Sequence, residues 1–273
     1  MKDSYGRTIN YLRVSVTDRC NLRCGYCVPA TPVCQRERGF LPLPQEQILP
    51  YEEIADVVRV ACEMGITKVR ITGGEPLVRR DVVRLVKMLA AIPEISDLAM
   101  STNGMLLAEH ARALAEAGLQ RVNVSLDTLN AKNYRRITGG GELQRVLDGI
   151  AAARAAGLNP VKLNCVVAAS ADEPDAQSVA RYAREQGLEA RFIRRMNLRS
   201  GTFSVVEGGS GGDCVRCNRL RLSCAGVVRP CLFSDLGFSV REFGARGAIE
   251  RAVQAKPRCG TACSLSSVGT IGG

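Results

Sequence analysis

Three cysteines, Cys20, Cys24 and Cys27, stand in the run TDRCNLRCGYC, directly after the apolar segment LRVSV. Thiolates at such spacing are ligands for soft metals. A structural zinc site almost always takes four protein ligands, so three thiols leave it one short, with Cys34 as the candidate fourth. Three thiolates can instead hold three irons of a 4Fe–4S cluster and leave the fourth iron free for an outside ligand. Cys214, Cys217 and Cys231 form a second set, again of three. A zinc knuckle completed by Cys224, Cys259 or Cys263 is the competing reading there.

The rest of the composition narrows the setting for this chemistry. With 273 residues and 46% hydrophobic content, the chain can build one large domain, or one with a small appendage. It has no apolar run of membrane-spanning length and no charged-then-apolar leader, so the expectation is a cytoplasmic protein without a membrane partner. Twelve cysteines in that compartment favour metal binding over a disulfide framework. The formal charge of +10 comes from 31 arginines and 6 lysines against 27 acidic residues, and the planar guanidinium suits carboxylate and phosphate ligands. Between residues 191 and 221, seven arginines face only Glu207 and Asp213. Arg112, Arg145, Arg154, Arg181 and Arg184 fall on helical patterns and read as solvated faces. A non-catalytic zinc protein bound to nucleic acid would also use positive charge, but 4% aromatic residues is low for stacking bases. No Gly-x4-Gly-Lys-Ser/Thr motif is present, which excludes a P-loop NTPase. His110 lies in a helical pattern and reads as structural.

The elements that must position these groups alternate. LRVSVT (12–17), KVRITGG (68–74), DLAMSTNG (97–104), RVNVSLD (121–127), VKLNCVV (161–167) and EARFIRRM (189–196) read as strands, with amphipathic helical patterns between most of them. Four helical patterns end in Gly followed by Ile or Leu, at Gly65, Gly118, Gly157 and Gly187. This is the signature of a left-handed glycine stop with an apolar residue packing back. Repeated βα units give a parallel sheet with right-handed crossovers. The expected fold is α/β, a partial (βα)6 TIM-like barrel, with a flat doubly wound sheet as the runner-up. Chemistry then belongs at the C-terminal strand ends, where Thr17, Asp18, Thr72, Ser101, Asn103, Asp127, Asn164 and Arg194 make a polar rim. The first three cysteines lie on the same rim.

These residues carry a family resemblance. The Cys20, Cys24 and Cys27 spacing, with Tyr26 before the last cysteine and Gly73-Gly74-Glu75-Pro76 at the next strand end, resembles the radical S-adenosylmethionine (SAM) superfamily. LRVSVTDRCNLRCGYC, RITGGEPLVRRD, STNG, NVSLD and Gly272-Gly273 occur in the order of the GTP 3′,8-cyclase family, lyases of molybdenum cofactor biosynthesis. The resemblance implies a 4Fe–4S cluster on Cys20, Cys24 and Cys27, and SAM contacts from Tyr26, Gly73, Gly74, Glu75, Thr102, Ser125, Lys162 and Met196. It further implies a second 4Fe–4S cluster on Cys214, Cys217 and Cys231, whose open iron binds the purine of GTP. Arg13, Lys68, Arg70, Arg191, Arg219 and Arg221 would grip the triphosphate and ribose, and Gly272 and Gly273 would enter the active site and serve catalysis. Implied partners are GTP, an electron donor such as flavodoxin or ferredoxin, the downstream cyclic pyranopterin monophosphate synthase and a second copy in a homodimer.

The chain also departs from the family. Residues 197–213, NLRSGTFSVVEGGSGGD, form a shortened linker between a barrel at 1–196 and a cysteine-containing C-terminal domain at 214–273, and GGSGG resembles a flexible tether. Phe192-Ile193-Arg194-Arg195-Met196 carries Arg194 where the family has a carboxylate, which puts GTP itself in question. A radical SAM peptide maturase is the alternative within the same chemistry, although a peptide offers no triphosphate to the arginines.

Overall fold

Alternation with a period of two organises the molecule. The computed structural model describes residues 1–27 and 42–263, so the expectations placed on Cys34, Gly272 and Gly273 lie outside the described residues. Six strands, β1 (Tyr11–Ser15), β2 (Lys68–Thr72), β3 (Asp97–Thr102), β4 (Arg121–Ser125), β5 (Val161–Val167) and β6 (Glu189–Arg194), pair in parallel. Leu12, Val14, Val69, Ile71, Leu98, Met100, Val122, Val124, Leu163 and Cys165 are buried in the main core. Successive side chains of a strand point to opposite faces, so the intervening Arg13, Arg70, Asn123 and Asn164 line the other face, around a cavity.

The helices α1 (Tyr51–Glu63), α2 (Val82–Ala90), α3 (Leu107–Glu116), α4 (Ala131–Thr138), α5 (Leu143–Ala155) and α6 (Pro174–Glu185) connect the strands. Gly65, Gly118, Gly157 and Gly187 all have positive φ. After each, the amide of Ile66, Leu119, Leu158 or Leu188 donates to the carbonyl five residues back, which satisfies an orphan carbonyl at the helix end. The expected stops are therefore present at all four positions.

Strand order decides between the two expected architectures. The sheet runs β6-β5-β4-β3-β2-β1 without reversal. With right-handed crossovers, an unreversed order keeps every helix on one face, whereas a doubly wound sheet needs a reversal point. The fold is a partial barrel. It extends beyond six strands: β7 (Arg219–Leu222) pairs in parallel with β1, then β8 (Val227–Arg229) and β9 (Phe238–Ser239) continue antiparallel. The final helix α7 (Val240–Gln254) buries Ala248, Ile249 and Ala252 in the same core. Among the described residues no helix is long and apolar enough to cross a membrane.

The segment after β6 is built rather than loose. Phe192 and Glu207 exchange backbone hydrogen bonds of 3.0 and 3.1 Å, and Arg219 Nη2 donates to Ser210 Oγ at 2.8 Å. A Cβ on Gly208 would stand 2.7 Å from the Ala190 carbonyl oxygen, and Gly208 also has positive φ. The GGSGG run thus forms a turn that spans from β6 to β7, where the sequence suggested a tether.

Candidate active site

The loop carrying the first cysteines is docked by its own backbone. Gly74 N–H donates to the Thr17 carbonyl at 2.7 Å and Glu75 N–H to that of Arg19 at 2.9 Å. A Cβ on Gly73 would meet the Thr17 oxygen at 2.7 Å, and one on Gly74 the Arg19 oxygen at 2.3 Å. The glycine pair therefore admits the cysteine loop, a close approach only glycine permits. On the other side, Arg23 N–H donates to Thr138 O and Gly25 N–H to Ile137 O, at the end of α4. Asn103 Nδ2 donates to Asn21 Oδ1 at 2.7 Å and to Cys20 Sγ at 3.8 Å.

Two expected SAM contacts serve this scaffold. Glu75 is buried, and its carboxylate accepts from Leu77 N–H (3.1 Å), Thr102 Oγ1 (2.8 Å) and Asn103 N–H (2.6 Å). Burial raises its pKa to about 7 against the lowering effect of these donors. Tyr26 donates its hydroxyl to Asp127 Oδ2 at 2.8 Å, while Val166 N–H donates to Asp127 Oδ1 at 2.8 Å. Ser125 ends β4 beside Asn164. Lys162 is not on this rim: it is the second residue of β5, and its ammonium pairs with Glu189 at 2.5 Å. Met196 packs in a small separate apolar cluster with Leu198, Phe203 and Phe233.

Below the rim lies a cationic cavity of about 290 Å³. Arg13, Lys68, Arg70, Arg121, Arg191 and Arg219 contribute to its wall, with Asp97 as the acidic counterpart. Arg121 holds Asp97 with both Nε and Nη2, at 2.8 and 2.6 Å, which leaves five cationic side chains on the wall beyond that pair. Register explains the density of charge: Arg221, Arg13 and Arg70 stand side by side on β7, β1 and β2. Burial lowers Arg13 to about 10 and Arg70 to about 9, assisted by neighbouring guanidinium groups. Burial also lowers Arg221 to about 10, and Cys231 and Cys217 are among the charges it feels. Arg70 and Arg219 sit over the Tyr11 ring at 5.5 and 5.7 Å from its centre, within cation–π range. Among the described residues, Tyr11 Oη, Arg70 Nε, Asn123 Nδ2 and Arg191 Nε are buried without a hydrogen-bond partner. Tyr11, Lys68, Asp97, Arg121 and Arg219 each open a strand. The cavity therefore reaches the N-terminal strand ends, away from the C-terminal rim on which the sequence placed the chemistry.

The second cysteine set flanks the opposite end of the barrel from the first. Cys217 lies two residues before β7, whose first residue Arg219 pairs with Tyr11 at the start of β1, while Cys20 follows the end of β1. Five residues of β1 span roughly 13–17 Å at about 3.3 Å each. Lys256, 3% exposed, donates its ammonium to the Arg219 and Pro230 carbonyls, both at 2.7 Å. Burial raises the Cys217 thiol, but Lys256 and Arg219 outweigh it and bring the pKa below the ordinary value. Of the candidate fourth thiols, Cys259 lies 3.3 Å from Cys214. Cys224 is instead buried, with its carbonyl accepting from Leu49 N–H at 2.8 Å, and Cys263 is buried with its amide on the Leu198 carbonyl.

Comparison with known proteins turns this geometry into a lineage. Residues 14–198 match the radical SAM superfamily. A GTP 3′,8-cyclase of Petrotoga mobilis is 40% identical over 94% of this chain and 94% of its own. One from Moorella thermoacetica is 43% identical with the same coverage of both chains. The chain belongs to the GTP 3′,8-cyclase family of radical SAM enzymes. Solved structures agree on the fold. That of anSMEcpe with bound AdoMet covers 91% of this chain and 81% of its own at TM-score 0.64 and 14% identity. SuiB of Streptococcus suis bound to S-adenosylmethionine covers 91% and 64% at TM-score 0.62 and 15% identity.

A radical SAM enzyme uses a 4Fe–4S cluster with SAM, and the first thiol set fits such a group. Cys27 is pushed up to about 12 by burial, then by Cys24, Cys20 and Asp127; Cys24 is pushed to about 11 by burial, then Asp127. Thiols so crowded ionise when a cationic centre offsets their repulsion. Among the described residues no three His, Cys, Asp or Glu side chains converge on one ion position. Residues that the sequence reading passed over also stand around this site. Tyr11, Arg121 and Asn123 were detectable as polar positions alternating with apolar ones along the strands. Lys256 acts through contacts far apart in sequence and leaves no local signal.

Proposed function

We propose that this enzyme is a GTP 3′,8-cyclase: hydrogen is abstracted from C3′ of the GTP ribose and the ring closes onto guanine C8, giving 3′,8-cyclo-7,8-dihydro-GTP. When bound, the first cluster and SAM supply the 5′-deoxyadenosyl radical for that abstraction. The observation that carries the reading is the cationic cavity on the inner face of the barrel, with one thiol triplet beyond each end of β1. A triphosphate relieves the mutual repulsion of Arg13, Arg70, Arg191 and Arg219 with charge-assisted bonds. A peptide leaves that repulsion in place. The unpartnered Arg70 Nε, Asn123 Nδ2 and Arg191 Nε are donors for phosphate, ribose or base oxygens.

The remaining assignments follow the same axis. Cys214, Cys217 and Cys231 hold a second 4Fe–4S cluster toward the purine, and Lys256 and Arg219 compensate its negative charge. Tyr26, Gly73, Gly74, Ser125, the scaffold of Glu75 and Thr102, and Met196, which follows the C-terminal end of β6, shape the SAM end; Lys162 lies near the other end of β5. Gly272 and Gly273 complete the active site. The electron comes from flavodoxin or ferredoxin, and the product feeds cyclic pyranopterin monophosphate synthase in molybdenum cofactor formation.

Anaerobic reconstitution with iron and sulfide, then reduction with SAM and GTP, tests the reading. The expected result is about eight irons per chain and 5′-deoxyadenosine whose formation depends on GTP. SAM cleavage indifferent to GTP removes GTP as the substrate.

A further inference from the structure

The outer side of the first cysteine loop carries unpaired positive charge. Gly25 N–H donates to the Ile137 carbonyl and Arg23 N–H to that of Thr138, so the loop lies against the last turn of α4. Lys132, Arg135 and Arg136 are exposed on that helix and, at positions i, i+3 and i+4, share one face. The helix sequence AKNYRRIT holds no acidic residue. Arg23 and Arg195 are exposed as well, and Arg195 Nη2 donates to the Gly25 carbonyl at 3.5 Å.

Among the described residues none of these five side chains is in an ion pair. The acid that touches α4 is Asp175, and it accepts from Thr128 Oγ1 at 2.6 Å and Asn133 Nδ2 at 3.2 Å instead. Elsewhere on the surface Arg59, Arg84 and Arg246, on α1, α2 and α7, each meet a carboxylate. Amid the unpaired cations the chain is bare: Gly25 is exposed, a Cβ there would meet nothing within 4 Å, and half-buried Cys24 precedes it. A partner seated on the cations is thus brought up to the backbone beside a thiol of the first set.

We propose that the outer face of α4 and the adjoining cysteine loop are the docking surface for an acidic one-electron carrier protein. The inference rests on the reading that Cys20, Cys24 and Cys27 hold a cluster. A single electron leaves the carrier and enters that cluster; no bond forms or breaks and no proton moves. Cations without an internal carboxylate have nothing to release before they meet the acids of a partner. Opposite charge speeds such encounters by about 10–10³-fold at low salt, and screening removes the gain.

The test follows reduction of the anaerobically reconstituted full-length chain by rapid-freeze electron paramagnetic resonance, reading the signal that added SAM alters. Reduced flavodoxin and reduced 2Fe–2S ferredoxin serve as carriers, and photoreduced deazaflavin as a small control reductant. In a Lys132→Gln, Arg135→Gln, Arg136→Gln chain, reduction by a carrier is expected to slow about tenfold or more at about 0.01 M ionic strength. It should match the unaltered chain at about 1 M, where the Debye length has shrunk from about 30 to about 3 Å. The Kd of the oxidised carrier, measured by calorimetry at low salt, should rise by a similar factor. Deazaflavin should reduce both chains alike. Arg59→Gln, Arg84→Gln, Arg246→Gln removes the same net charge elsewhere and should slow the carriers far less. The proposal is wrong, and the cluster reading stands, if the α4 variant is reduced by both carriers as fast as the unaltered chain. The same holds if the two variants slow equally, or if neither carrier reduces a chain that deazaflavin reduces. If deazaflavin produces no signal that SAM alters, the cluster reading itself fails.

Discussion

Replacing Gly74 with alanine separates two reasons for a glycine at the SAM end, open space for a ligand or close passage of the chain itself. Gly74 does not have positive φ, so alanine can adopt its backbone and any cost is steric. The new methyl would lie 2.3 Å from the Arg19 oxygen and 2.7 Å from the Arg19 carbonyl carbon, so the loop must retreat by about 1 Å to reach ordinary contact. Retreat strains the hydrogen bonds from Gly74 to Thr17 and from Glu75 to Arg19, worth about 1 kcal/mol each. Overpacking adds about 1–3 kcal/mol, for a combined loss of about 3–5 kcal/mol. Gly25→Ala is the control: it lies on the same loop, without positive φ and with nothing within 4 Å of its Cβ position. Urea unfolding of the apo chains should show a clearly lower midpoint for Gly74→Ala than for Gly25→Ala. Iron after reconstitution should fall toward half for Gly74→Ala, because displaced Cys20 no longer completes the first set. Equal midpoints for the two variants would refute the steric account.

Three further outcomes follow from the same contacts. Glu75 has a folded pKa of about 7 against 4.5 for the free group, so the folded chain binds its proton more tightly than the unfolded chain. Stability should therefore fall as pH rises from about 4.5 to 7, by about 3 kcal/mol, and then level off; denaturation at a series of pH values should lose this slope in Glu75→Gln, and an unchanged slope contradicts the assignment. Arg70→Ala should weaken GTP binding by about tenfold or more while changing guanosine binding much less, as measured by calorimetry; equal losses for both ligands remove the phosphate role. Lys256→Met leaves the Arg219 and Pro230 carbonyls without their buried donor and should cost about 3 kcal/mol, a fall in Tm of roughly 5–10 °C by thermal unfolding. An unchanged Tm would show that the buried ammonium is dispensable.

Much of the molecule was legible because its signals are local. The cysteine spacing, the Gly73-Gly74 pair and the four helix-ending glycines are properties of a few neighbouring residues, and the backbone conformations they demand are present in the fold. Six strands with intervening helices implied a parallel sheet, and the family resemblance pointed to a barrel. The C-terminal strands β7, β8 and β9 escaped notice because they are short, between two and four residues, and take their stability from pairing in turn, β7 with β1, β8 with β7 and β9 with β8, rather than from intrinsic pattern.

By itself, the sequence determined the chemistry available: two thiol triplets, an arginine excess and a chain able to alternate strand with helix. Only the tertiary structure decided where that chemistry sits. Parallel register brings Arg13, Arg70 and Arg221 side by side although they are up to 208 positions apart, and the start of β5 at Val161 puts Lys162 at the end of the strand away from the rim. Pairing of β7 with β1 sends the two cysteine sets to opposite ends of the barrel, and Arg7 and Lys256 hold Cys259 against Cys214 across the whole chain. The physical reason is common to all four: spacing along a chain fixes which groups can meet within one turn or strand, whereas contacts between distant segments depend on strand order, register and buried hydrogen bonds that no short stretch encodes.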